Sequence, residues 1–269
     1  DLQSSTHRWR GPHHISMTEE FVSLRVMTVS DDAAERELLR RGASGASIPV
    51  NISEVEAAQD EAAARRRLAE APHDVVLFDS RMPVAGQHAL LDAVRATPGN
   101  LLAILVGESE KAVADRCDAV IPKPIQEPRV SAVIGNCVAV RLPKRVLIVD
   151  DSAAVRSVIQ KVLNGSRFRI EAEEADCHSA AIEKAGGRPF DVVILDCHMF
   201  GKDGFETLAD LKKLRQAPRI LMTAETRDAH LEKRARSEGA GDFLIKPFYA
   251  KDIDAAFSRL LGLTHLRWA

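Results

Sequence analysis

With 269 residues the chain has room for one or two domains of ordinary size, each long enough to bury its own core. Its 37 Lys and Arg nearly balance 39 Asp and Glu, a formal net charge of −2, so no general attraction to nucleic acid follows. Aromatic residues make up 4%, which argues against a base-stacking platform, and no apolar run approaches the ~20 residues needed to span a bilayer.

The first sixteen residues are polar and aperiodic, and no signal peptide of the charged, apolar, small-residue form opens the chain. Residues 1–20 are therefore expected to be a disordered arm or an expression remnant, with His13 and His14 solvated. From there the chain repeats itself. Arg25–Arg36 lines up with Arg145–Arg156, Asp74–Asp79 with Asp191–Asp196, Leu102–Val106 with Arg219–Met222, and Val120–Pro124 with Phe243–Pro247. Four matches in one order, at nearly constant offset, are a duplication. The two copies are expected at 21–142 and 143–264, joined by the short connector Arg141-Leu-Pro-Lys144, in which Pro143 ends the preceding helix.

In the second copy, short runs rich in Val, Ile and Leu predict strands at Val146–Val149, Val192–Leu195, Ile220–Met222 and Phe243–Ile245, with a weaker one near Phe168–Ala172. Between them, apolar residues at helical spacing predict helices at Ala154–Leu163, Phe205–Leu214, Asp228–Ser237 and Ile253–Leu261. Alternation of this kind predicts an α/β fold. Each copy is expected to be a flavodoxin-like, doubly wound, five-stranded parallel sheet of order 2-1-3-4-5. The four cysteines, Cys117, Cys137, Cys177 and Cys197, fit no zinc spacing and no dense disulfide framework, so reduced thiols of a cytoplasmic protein are expected.

Ligands of such folds bind beyond the carboxyl ends of the strands, at the switch in strand order. There the second copy places Asp150 and Asp151, Asp196, Thr223 and Lys246. Each taken singly has an ordinary reading as a helix cap or turn residue. Gathered at the ends of four strands they point to one site, and its three carboxylates call for a hard divalent cation with oxygen ligands, which suits Mg2+.

These residues resemble the receiver domain of bacterial two-component response regulators. The pattern of an acidic pair, an acceptor Asp, a Thr or Ser, an aromatic and Lys-Pro stands here as Asp150-Asp151, Asp196, Thr223, Phe243 and Lys246-Pro247, with Phe200 in place of a usual proline. The resemblance implies that Asp196 is phosphorylated by a sensor histidine kinase or a histidine phosphotransfer protein. It implies that Asp151, Asp196 and the backbone carbonyl of His198 hold Mg2+, with Asp150 acting through water. Lys246 and Thr223 would contact the phosphoryl oxygens, and Phe243 would rotate inward to pass the change to an unidentified downstream protein or a homodimer contact. It implies an acceptor and not an enzyme in its own right.

The first copy keeps Asp31, Asp79 and Lys123. It has Ser30 for the first acid, Gly107 where the hydroxyl is needed and Val120 where the aromatic is needed. A degenerate receiver is expected, used for binding. Alternative expectations are a receiver fragment of a hybrid histidine kinase or diguanylate cyclase, and a phosphate sink or relay intermediate. Neither membrane association nor direct nucleic-acid contact is expected, since no helix-turn-helix remains once both sheets are assigned.

Overall fold

The computed structural model describes residues 24–46, 50–55, 61–200 and 203–268. The reading of residues 1–20 lies outside them. The first domain runs β1 (Leu24–Val29), α1 (Ala33–Ser44), β2 (Val50–Val55), α2 (Glu61–Glu70), β3 (Val75–Asp79), α3 (Val84–Ala96), β4 (Leu102–Val106), α4 (Lys111–Ala114), β5 (Ala119–Ile121) and α5 (Glu127–Arg141). The second repeats this as β6 (Lys144–Val149), α6 (Ala153–Asn164), β7 (Ile170–Ala175), α7 (His178–Gly187), β8 (Val192–Asp196), α8 (Gly204–Leu211), β9 (Arg219–Ala224), α9 (Ala229–Glu238), β10 (Asp242–Ile245) and α10 (Ala250–Leu261). All ladders are parallel, and the sheet orders are β2-β1-β3-β4-β5 and β7-β6-β8-β9-β10. Both are the expected 2-1-3-4-5.

The central strands follow from composition. β3 and β8 are buried along their whole length, because helices cover both faces of a parallel sheet and leave no position for polar side chains. β7 lies at the edge and begins at Ile170, two residues later than expected. Its sequence IEAEEA keeps only Ala175 buried, so the apolar signal at Phe168 marks the preceding loop, where that ring packs edge-on against Phe257 of α10 at 5.6 Å. Several helices begin on caps legible in the sequence. The side chains of Asp32, Ser152, Asp203 and Asp228 each accept backbone N–H bonds from the first turn that follows.

The connector is short, with α5 ending at Arg141 and β6 starting at Lys144. One buried apolar cluster crosses it, joining Val138 and Val140 of α5 to Val146, Phe168, Leu263 and Leu266. Polar contacts reinforce it around Asp118, which is 1% exposed and sits just before β5. Its carboxylate accepts from Ala103 N–H at 2.7 Å and from the guanidinium groups of Arg95 and of Arg167, the latter from the second domain. Its carbonyl accepts from Arg267 N–H at 2.8 Å, and Trp268 stacks under the Arg167 guanidinium at 4.6 Å. Nearby, Asn100 donates to the Ser166 carbonyl at 3.2 Å. These groups precede strands or follow α10, so the domains meet at the amino ends of both sheets. The carboxyl ends are remote from the contact.

Candidate functional site

At the carboxyl end of the second sheet, Asp150 follows β6, Asp196 closes β8, Thr223 lies in β9 paired with Asp196, and Lys246 follows β10. Folding brings these together. The Lys246 ammonium reaches Asp150 Oδ2 at 2.6 Å and Asp196 Oδ1 at 2.7 Å. Asp196 Oδ2 accepts from His198 N–H at 3.0 Å, and Asp150 Oδ1 from Ser152 N–H at 2.9 Å. Asp196 is 6% exposed. Burial raises its carboxyl above the usual range; Lys246 pulls the other way, and the negative charge of Asp150 adds to the rise. Burial works against the Lys246 ammonium, yet Asp150 and Asp196 together raise it above its ordinary value. The site thus carries more negative charge than its single lysine compensates.

The loop after Asp196 is fixed by close approach. A Cβ on Gly204 would come within 2.1 Å of the Asp196 carbonyl oxygen and 2.9 Å of Cys197 Cα, so no larger residue fits there unless backbone moves. Cys197 is buried, and burial pushes its thiol up to about 12, so it is a neutral packing group beside Asp196. The His198 ring is exposed at the entrance.

Three of the expected site residues make further contacts in this structure. Thr223 is buried and turns its hydroxyl toward the Leu195 carbonyl at 3.5 Å. Phe243 is 7% exposed and packed in the cluster with Met222, Ala235 and Ala240. Asp151 is exposed, and its Oδ2 accepts from Phe200 N–H at 2.7 Å instead of facing Asp196. Accordingly, among the described residues no three His, Cys, Asp or Glu groups converge closely enough to hold a metal ion. The donor chemistry still fits Mg2+. The oxygens present are carboxylate and carbonyl, negative charge is in excess, and Asp151 lies at the solvent edge.

The first domain brings together Ser30, Asp31, Asp79 and Lys123 at the matching place. Lys123 Nζ reaches Asp79 Oδ1 at 2.9 Å. The strand register corrects one expectation: Asp79 pairs with Val106, as Asp196 pairs with Thr223. Val106, buried, therefore stands at the hydroxyl position, and Gly107, with φ of +101°, is the residue after it. The hydroxyl is absent either way. Sequence reasoning missed Arg81, two residues after Asp79, as His198 is after Asp196. Its guanidinium folds back, with Nε and Nη2 bonding Asp79 Oδ2 at 2.8 and 2.6 Å. Burial opposes ionisation of Asp79, but bonds from Arg81 and Lys123 outweigh it and hold the carboxyl well below the usual range.

A five-stranded parallel sheet of order 2-1-3-4-5, with an acidic pair, an Asp, a Thr and a Lys at its carboxyl ends, defines a receiver domain. The response regulator receiver domain family matches residues 146–258. The chain is 37% identical over 139 residues to the two-component response regulator ORR11 of Oryza sativa subsp. indica, covering 48% of this chain and 92% of that one. It is 33% identical over 118 residues to the chemotaxis protein CheY of Bacillus subtilis (strain 168), covering 44% and 98%. The chain belongs to the two-component response regulator family. A solved structure described as a "probable two-component system response regulator/GGDEF domain protein" overlays 90% of this chain and 99% of its own, with a TM-score of 0.52 and 19% identity, a likeness of fold that spans both domains.

Proposed function

We propose that the chain accepts a phosphoryl group on Asp196 from a sensor histidine kinase or a histidine phosphotransfer protein, and changes its protein contacts in response. The observation that carries this reading is the buried Asp196 carboxylate, held by Lys246 beside Asp150 at an entrance that stays open past His198. An Asp196 oxygen attacks phosphorus, the bond from phosphorus to the donor imidazole nitrogen breaks, and that nitrogen keeps the electron pair. Lys246 stays with a phosphoryl oxygen, and Thr223 turns from the Leu195 carbonyl to donate to another. Asp196, Asp151 and the His198 carbonyl would hold Mg2+, with Asp150 through water, and the ion supplies neutralisation of the phosphoryl charge. On this reading the chain is an acceptor that later loses the group to water, and it turns over no separate substrate.

The donor's approach has support in the surface beside Lys246. Ala154, Val155, Val158 and Val162 of α6 line an apolar groove with Pro247 and Phe248, and Val158 is 57% exposed. A helix carrying the phosphohistidine would seat its apolar face there.

The test is labelling of the full chain with acetyl phosphate and Mg2+, read by intact mass. Asp196→Ala should abolish the phosphorylated species, and Asp79→Ala should leave most of it. Equal labelling of both aspartates would overturn the assignment. A second reading, that the two domains are the receiver pair of a diguanylate cyclase, is favoured by the fold-level overlay with the GGDEF-containing protein. A reading frame that continues into a cyclase domain would establish it.

A further inference from the structure

The two copies differ at the residue two places after the Asp. His198 points its ring outward, whereas the Arg81 guanidinium lies within 4 Å of four carboxylates. Its Nη2 stands 2.6 Å from Asp79, 2.8 Å from Glu35, 3.4 Å from Asp31 and 3.7 Å from Asp32. Lys123 completes the cluster by bonding Glu35 at 2.9 Å as well as Asp79.

The oxygens of Asp79 are thereby fully engaged. Oδ1 accepts from Arg81 N–H and from Lys123, each at 2.9 Å. Oδ2 accepts from Arg81 Nε and Nη2 and from the Ser30 hydroxyl at 3.2 Å. A carboxylate offers about four lone-pair positions, so none remains for a metal or for attack on phosphorus. Asp196, by contrast, takes one bond on each oxygen among the described residues. The Arg81 side chain also sits where a cation bridging Asp31 and Asp79 would have to lie. A divalent ion does not fit this site.

We propose that Arg81 supplies from within the chain the positive charge that a receiver site otherwise takes from a bound divalent ion, so that the first domain is closed to both metal and phosphoryl group. The closure rests on one side chain. It also ties three elements into one ion-paired lid over the end of the sheet: the loop after β3, the first turns of α1 through Glu35, and Lys123 after β5. This claim concerns Asp79 alone, and it is independent of what happens at Asp196.

The experiment uses the full chain with Asp151→Asn and Asp196→Asn, which disables the second site, and manganese ion alone as the probe, read by water proton relaxation. This parent should show no manganese site that disappears on adding Asp79→Asn; such a site would overturn the proposal. Adding Arg81→Ala should create a site at least about tenfold tighter than any in the parent, and Asp79→Asn should abolish it. In parallel, Arg81→Ala should lower the melting temperature in chelator, with Mg2+ restoring part of the loss. If Arg81→Ala melts like the parent and gains no manganese, the guanidinium is an ordinary surface ion pair and the proposal fails. Should the alanine variant not fold, Arg81→Gln keeps a hydrogen-bond donor, removes the charge and is read by the same two measurements.

Discussion

Asp79 and Asp196 occupy the same place in two copies of one fold, and their neighbours push them in opposite directions. The carboxyl of Asp79 lies below its ordinary value and that of Asp196 above it. The consequences for stability have opposite signs. A depressed acid stabilises the fold above its unfolded value, near pH 4, and that contribution is lost as pH falls toward the folded value. A raised acid works the other way, since ionising it as pH climbs through its window costs stability. Asp79→Asn should therefore destabilise the chain at neutral pH by about 1–3 kcal/mol, discounted because Arg81 is half exposed, and the deficit should shrink as the medium becomes acidic. Urea titrations of both chains across that range would check this; a deficit independent of pH would mean that charge on Asp79 does not matter. At the second site, Lys246→Ala should slow labelling by acetyl phosphate on the order of 10²-fold or more, because no other cation among the described residues reaches Asp196.

At the scale of elements, the start of α8 sets the loop that follows Asp196. Gly204 abuts the Asp196 carbonyl, so Gly204→Ala should force the backbone carrying Asp196 and His198 to move. The expected cost is about 1–3 kcal/mol in thermal or chemical denaturation, with a matching fall in labelling rate. Unchanged melting and labelling would show that the contact relaxes freely. Much of this architecture was legible in the sequence. Buried parallel strands read as Val, Ile and Leu runs, and the duplication located equivalent strand ends twice over. What escaped has physical causes. β7 is an edge strand whose acidic alternation carries little apolar signal, and α7, with the sequence HSAAIEKAGG, is too rich in Ala and Gly to show a strong stripe. The register at Val106 was misjudged by one residue, because a row of apolar residues ending in glycine does not announce where its pairing stops. Arg81 was invisible for a different reason: spacing placed it beside Asp79, but nothing in spacing says whether a long side chain folds inward, as Arg81 does, or points out, as the His198 ring does.

At the scale of the whole molecule, the two domains are held by a shared apolar cluster and by the buried carboxylate of Asp118. Asp118→Ala would take this acceptor from Ala103 N–H and Arg167, leave Arg95 with the Arg116 carbonyl, and should cost about 3 kcal/mol or more. Because Arg167 comes from the other domain, the variant should also speed hydrogen exchange at Ser166–Arg169 and broaden the small-angle scattering profile. Loss of stability with an unchanged profile would mean that the apolar cluster alone holds the pair together. The join at the amino ends of both sheets has a further consequence. Each acidic pocket looks away from the join, so a protein seated over Asp196 takes no room from a protein seated over Asp79. The chain thus carries two outward-facing acidic pockets whose separation is set by the shared apolar cluster.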